Sequence, residues 1–352
     1  MAAPCLEKVF SELEESHKGR PRRAAPTKMQ AEIKERLVEI VRRFAGQKVV
    51  IVGDAIADKF VHGSISRVSR EAPVFILRHE QTQTLPGGAA NCAMNLVALG
   101  ANVSLISVTG DDESGTELRA RLQSAGIDTK GVIVSKRVQT TTKVRILAGH
   151  SHSNKQQVIR IDYEGAPLSD EEIRTAILKE LEQAIAESKA VVISDYNYGV
   201  IDRAAAELIR KTTDVPVLVD SRFRLLDFTG FTAATPNEEE VENLIGKIDA
   251  DELKKKLGHR ALLVTRGAQG MTLLEGENAP LHIPAVGAQQ AVDVTGAGDT
   301  VIATFSLALA SGATFVEAAH LANYAGGLVV MKRGTATISA DELEHAITGL
   351  HD

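Results

Sequence analysis

The chain has 352 residues, enough for one large α/β domain or two ordinary ones, and its 44% apolar and 24% charged content is that of a globular protein. A net charge of −6, few aromatics and no Trp count against a nucleic-acid partner, which needs a basic face or stacking platforms. Only Cys5 and Cys92 are present, which excludes a disulfide scaffold and a cysteine-rich zinc site; with no apolar leader or membrane-length run, the expectation is a cytoplasmic protein without a membrane partner.

Residues 1–27 are polar, broken by Arg20-Pro21-Arg22-Arg23 and Pro26, and read as a solvated, partly helical stretch. Met29, Ile33, Leu37, Ile40 and Val41 fall at helical spacing, so a helix over 28–44 closes an N-terminal extension (1–45) ahead of one domain (46–352). That domain opens with the apolar run Lys48–Gly53, a central parallel strand that delivers Asp54 to the sheet edge. Asp54 and Asp58 are placed there either to hold sugar hydroxyls or to cap a turn. From 60 to 85 the pattern alternates without helical period, predicting short antiparallel strands that form a lid.

Pro86-Gly87-Gly88-Ala89-Ala90-Asn91 then opens a small-residue helix. Close packing accounts for the alanines. Gly87, Gly88 and Asn91 suit a polyol, a backbone open to a ligand with an amide one turn inside. A strand over 103–108 and a helix over 113–125 follow. Segments 140–147 and 157–163 alternate again and complete the lid, with His150 and His152 in a polar hairpin tip rather than a metal pair.

After Ser169 helices and strands alternate regularly. Helices are predicted over 170–188, 202–212, 297–310, 315–331 and 340–350, with another opened by Pro236-Asn237. Strands are predicted over 190–194, 215–219, 232–235 and 261–265. Several strands stop at a polar residue, among them Asp195, Asp220 and Arg266, which marks the active edge of one parallel sheet.

The stretch with the most chemistry is Asp293-Val294-Thr295-Gly296-Ala297-Gly298-Asp299-Thr300. Gly296, Ala297 and Gly298 at a helix N-terminus leave N–H groups free for an anion. Asp299 lies in that positive field, which is expected to keep it ionised and ready to take a proton from a hydroxyl. A phosphate cradle beside a base suggests phosphoryl transfer to an alcohol; a Gly-rich turn with Asp299 as a cap is the plainer alternative. Asn237 and Glu240, three apart on a first helical turn, with Asp195 and Asp220 at neighbouring strand ends, offer oxygens for Mg²⁺ through water, or merely a capped helix.

Gly87-Gly88-Ala89-Ala90-Asn91 together with Asp293–Thr300 resembles the two signatures of the ribokinase-like (PfkB) carbohydrate kinases, and the resemblance runs from about 48 to 350. Within that family, Ser66-Arg67-Val68-Ser69-Arg70-Glu71-Ala72-Pro73-Val74, Ser194-Asp195-Tyr196 and Leu263–Met271 are similar to the kinase part of the ADP-heptose synthases, which phosphorylates C1 of D-glycero-β-D-manno-heptose 7-phosphate. The resemblance implies an α/β fold: a ribokinase-like three-layer sandwich around a mostly parallel sheet, plus a small β-strand lid. It implies ATP and Mg²⁺ as cofactors, with Asp299 as base and the 296–298 backbone as anion hole. Asn237 and Glu240 would position Mg²⁺, and Asp54, Asp58, Gly87, Gly88 and Asn91, with Asp195, would line the sugar site. Thr265, Arg266, Gly267 and Gly270 would lie beside the nucleotide phosphates, and Asn323 and Gly326 beside adenine. Many members bind K⁺ near this loop, which makes Asp293 and Thr295, with 333–339, the candidate K⁺ site. Lids pair between subunits in several members, implying a homodimer. The chain ends at Asp352 without an adenylyltransferase segment, so a separate adenylyltransferase is expected.

Two positions depart from the heptose kinases. Tyr198 replaces the Lys of Asp-Tyr-x-Lys-Gly, and Ser221-Arg222 replaces Pro-Lys after Asp220. A sugar phosphate still needs cations, and Arg67, Arg70, Lys143, Arg145 and Arg222 are the candidates. The alternatives are a kinase of another sugar and a sugar- or nucleotide-binding regulator without catalysis; the intact Asp299 argues against the latter.

Overall fold

The computed structural model describes residues 28–149, 155–287 and 291–349. Residues 1–27, the hairpin tip at 150–154 and the last residues of the predicted final helix lie outside them.

Strands β1 (Lys48–Gly53), β4 (Asn102–Gly110), β5 (Val132–Ser135), β8 (Ala190–Asp195), β9 (Val217–Ser221), β10 (Ala233–Ala234), β11 (Ala261–Thr265), β12 (Met271–Glu275) and β13 (Leu281–Ile283) form one sheet. Its order is β13-β12-β11-β10-β9-β8-β1-β4-β5. Neighbours are parallel from β11 to β5, and β12 and β13 run antiparallel at one edge. Both faces are covered, as the uninterrupted apolar runs require. Alternate residues of each strand point to opposite sides: Val49 and Ile51 enter one core, Val50 and Val52 the other. Helices α1 (Lys28–Arg42), α2 (Ala89–Ala98), α3 (Glu113–Ser124), α8 (Ala297–Ala310), α9 (Phe315–Val329) and α10 (Ala340–Thr348) cover the first face. The second is covered by α4 (Glu171–Ile185), α5 (Arg203–Thr212), α6 (Glu238–Ile245) and α7 (Ala250–Leu257). This is the expected three-layer sandwich. None of the helices described is long and apolar enough to cross a membrane.

The lid is a second sheet, β3-β2-β6-β7, of β2 (Ala55–Val68), β3 (Phe75–Gly88), β6 (Thr142–Gly149) and β7 (Gln156–Tyr163). The short strands expected over 60–85 are in fact two strands of 14 residues each. Register shifts at His62/Gly63 and Ile65/Arg67 break the alternation, which is why the sequence reads as shorter pieces. β2 also begins one residue after β1 ends, so Asp54 is a joint between two strands and not part of a turn. β5, β12, β13 and α7 are not legible in the sequence; the strands are too short for a period, and α7 buries only Leu253 and Leu257.

Helix α1, at the end of the predicted extension, packs onto the domain. Ile33, Leu37, Val38, Ile40, Val41 and Phe44 belong to the main core, and Arg36 Nε donates to Glu317 Oε1 on α9 at 3.1 Å, where Glu317 is 4% exposed. Leu37 is 2% exposed, so Leu37→Ala leaves a cavity and should cost about 2–5 kcal/mol, read as a fall in the urea midpoint at unchanged slope.

Candidate active site

The site is built on the N-terminus of α8. Gly296 caps that helix at φ 76°, in the left-handed region, and a Cβ there would lie 2.5 Å from Asn91 Nδ2. Ala297 donates its N–H to Val294 O at 3.2 Å, so its amide is spent locally and does not join the anion hole expected of 296–298. The free part of the turn is at Gly298, where a Cβ would meet nothing within 4 Å. An anion approaching the first-turn amides has its room there.

Asp299, on the same turn, is 5% exposed. Asn91 Nδ2 donates to its Oδ2 at 2.7 Å and the Tyr196 hydroxyl to its Oδ1 at 3.2 Å. Behind them, Asn95 Nδ2 donates to Asn91 O at 3.0 Å, and Thr300 Oγ1 donates to Asn95 Oδ1 at 2.9 Å. The two bonds aim the carboxyl; they do not make it acidic. Burial raises its pKa from 3.8 to about 7, outweighing the bonds from Asn91 and Tyr196, and Asp58 adds to the rise. The expectation that the helix field keeps it ionised is thereby corrected. Near neutrality it is shared between the two forms. Tyr196 and Asn95 are site residues that sequence reasoning did not assign.

The two carboxylates of the sugar side are placed differently. Asp54 accepts N–H bonds from Tyr196 and Tyr198 on Oδ2 (2.8 and 3.1 Å) and from Val200 on Oδ1 (3.2 Å), and it is 2% exposed. It fixes the 195–200 loop and borders a cavity with Tyr198 and Val200; burial pushes it up to about 6 against those bonds. Asp58 is bound to Arg145 of the lid. Gly87 is small because Asp58 lies against it, and Gly88 (φ 56°) because the Asp54 carbonyl would be 2.6 Å from a Cβ. The close approach that these glycines allow is therefore by protein atoms.

Asp195 is not a free acid. Arg224, unrecognised in the sequence, binds its Oδ1, and Ser221 Oγ donates to its Oδ2 at 2.7 Å. Asn237 and Glu240 form a capping box: Asn237 Oδ1 accepts from the Glu240 N–H at 2.8 Å, and Glu240 Oε2 from the Asn237 N–H at 2.9 Å. Burial raises the pKa of Asp220, with Glu240, Asp299 and Asp195 adding repulsion; burial also raises that of Glu240. A negative field of this kind would be relieved by a divalent cation. Among the described residues no cluster of three or more His, Cys, Asp or Glu side chains forms a metal site. The oxygens a divalent cation would find here are those of Asp220 and the free oxygen of Glu240 rather than Asn237, whose side-chain oxygen is taken up by the capping box.

Thr265, Gly267, Gly270, Asn323 and Gly326 meet around an apolar cavity of about 210 Å³, which reaches Ala297 and Gly298. Its walls carry few side-chain donors. Asn323 Nδ2 donates to Pro284 O at 2.7 Å, so it positions the 284–286 segment. Arg266 Nε pairs with Glu238 at 2.7 Å. Asp293 accepts N–H bonds from Thr295 and Gly334, each at 2.9 Å, and these hold its pKa below the usual range although burial alone would raise it. Thr335, whose methyl group faces Gly296, has a buried hydroxyl without a hydrogen-bond partner, next in sequence to the Gly334 amide that Asp293 holds.

Arg67 and Arg70 fall outside this site. They are exposed at the far end of the lid, and nine strand residues from Asp58 to Arg67 correspond to about 30 Å. Arg222 is exposed and lies 5.6 Å over the Phe223 ring.

Residues 47–342 match the sequence profile of the pfkB family carbohydrate kinases. The bifunctional protein HldE of Paramagnetospirillum magneticum is 42% identical over 326 residues, 88% of this chain and 65% of that protein, so the chain spans less than two thirds of this relative. Two solved structures share the fold: Arabidopsis thaliana ribokinase complexed with ribose and ATP (22% identity, TM-score 0.65, 86% of this chain and 99% of that one), and Escherichia coli phosphofructokinase-2 in complex with potassium (18%, 0.68, 87% and 99%).

Proposed function

Because this chain belongs to the pfkB family of carbohydrate kinases, we propose that it transfers the γ-phosphoryl group of ATP to C1 of D-glycero-β-D-manno-heptose 7-phosphate, in the route to lipopolysaccharide core heptose. The observation that carries the reading is the placing of one carboxyl. Asp299 is held by Asn91 and Tyr196 where the open side of Gly298 meets the apolar cavity of Thr265, Gly267 and Gly326. Adenine would occupy that cavity, and the phosphates would reach the Gly298 amide. The sugar would lie between Asp58, Gly87 and the 195–200 loop, its acceptor hydroxyl against Asp299. Asp299 takes the hydroxyl proton as the oxygen attacks phosphorus, and the first-turn amides hold the negative charge. A divalent cation bound through Asp220 and Glu240 would neutralise the phosphate oxygens; K⁺ at Asp293 and Thr335 would steady the anion turn.

The HldE relative supports the heptose substrate. A second reading, another sugar or sugar phosphate, is favoured by Tyr198 and Arg222, which replace lysines of the heptose kinases. We further read the chain as a homodimer joined through the lid, since Ile159, Ile161 and Tyr163 leave its outer face 41–54% exposed.

Coupled ADP release over a panel of sugars and sugar phosphates tests the function. Turnover of the heptose 7-phosphate far above the others supports it, and turnover of a different sugar alone selects the second reading. The pH profile follows from Asp299. The base works ionised, so turnover should rise about tenfold per pH unit below 7 and level above it. A rate that is flat between pH 5 and 8 would remove Asp299 as the base.

A further inference from the structure

On the inner face of the lid, Lys143 and Arg145 of β6 stand opposite Asp58 and Phe60 of β2 and Asp162 and Arg160 of β7. Four of the five charges are already satisfied locally. Arg145 binds Asp58, and Arg160 grips Asp162 through Nε at 2.7 Å and Nη2 at 2.5 Å. Lys143 differs. It is 8% exposed, yet makes no ion pair or hydrogen bond with any described residue. Its ammonium lies 5.9 Å from the Tyr196 ring centroid and 5.7 Å from that of Tyr198.

Two ring faces recover only part of the hydration that a buried ammonium gives up. Accordingly burial, then Arg160, lower its pKa, while Asp162, Glu164 and Asp58 act in the other direction. A desolvated cation left unpaired inside a site calls for an anion from outside the protein. Tyr196 indicates which anion. Its hydroxyl holds Asp299 and its face meets Lys143, so the base and the ammonium serve different parts of one bound molecule.

Resting on the kinase reading above, we propose that Lys143 binds the phosphate that the sugar already carries, and so selects phosphorylated over neutral sugars. A lysine offers a compact charge with three donors, suited to a phosphate monoester. The Tyr196 and Tyr198 rings hold the side chain there, Tyr198 itself being fixed by its hydroxyl on Glu164.

The test compares wild type, Lys143→Met and Lys143→Arg with the heptose 7-phosphate and with the same heptose lacking its phosphate, using melting temperature to confirm folding. Lys143→Met should lose about 100-fold or more in kcat/KM for the phosphorylated sugar, chiefly through KM, and less than about threefold for the neutral one. Lys143→Arg should recover most of the loss. Inorganic phosphate should inhibit wild type competitively with the sugar phosphate and Lys143→Met at least tenfold more weakly. Equal losses on both sugars, or a fall confined to kcat, would place Lys143 in the chemical step and overturn the proposal; so would an unchanged KM. Wild type that turns over neither sugar overturns the heptose reading on which the proposal rests, a result distinct from the others.

Discussion

Asp299→Asn is expected to lower kcat by a factor of about 10²–10⁴, the range for removing a positioned general base, while leaving the fold intact. The substitution is nearly isosteric, and both bonds to the side chain survive: the new amide oxygen accepts from Asn91 Nδ2, and its NH₂ faces the Tyr196 hydroxyl, which can accept. The variant should also be the more stable protein. A buried carboxyl whose pKa rises from 3.8 to about 7 on folding binds its proton more tightly in the native state, so wild-type stability falls as pH increases between those values and stays low above them. At pH 8 the cost is on the order of 2–4 kcal/mol, and asparagine escapes it. Thermal melts at pH 5 and pH 8 check this: the melting temperature of Asp299→Asn should exceed wild type, and by more at pH 8. Retained turnover, or an equal or reversed stability difference, would show that Asp299 is not a base held in a poorly hydrated site.

Gly298→Ala should separate catalysis from folding. Its Cβ would meet no protein atom within 4 Å and the backbone needs no positive φ, so alanine is accommodated and, inside a helix, mildly favoured. The added methyl would occupy the space in front of the first-turn amides, where the transferring phosphoryl is to sit. Losing that close approach should cost about 10²–10³ in kcat/KM for ATP, comparable to removing one oxyanion donor, with an unchanged or slightly higher melting temperature. Gly296→Ala is the contrasting control. There the Cβ runs into Asn91 Nδ2 at φ 76°, so stability and activity should fall together. Full activity in Gly298→Ala would move the anion site away from this turn.

The order of the layers was legible because the parallel strands are continuous apolar runs and the helices between them keep a 3.6 period. The Asp293–Thr300 stretch was legible because glycine spacing carries its own geometry. What the sequence hid is mostly pairing. Nothing local reveals that Arg224 is spent on Asp195, or that Arg145 is spent on Asp58 from 87 positions away. Asp54 and Asp58 look equivalent four residues apart; only the folded 195–200 loop, with Asn197 at φ 68°, brings three amides onto the first of them. The sign of the shift at Asp299 was hidden for the same reason. It depends on how much water remains at the end of α8, and that is a property of everything packed around it. The helix at 28–42 is legible in its period, but a period does not say which surface the apolar stripe will meet, and here it is the main core.

The single residue between β1 and β2 gives this enzyme an unusual mechanical layout. The lid continues a strand from the heart of the sheet, so any swing pivots on Asp54, the same side chain that grips the amides on either side of Asn197. One carboxylate thus ties the root of the lid to the loop that carries the Tyr196 phenol, and through it to Asp299.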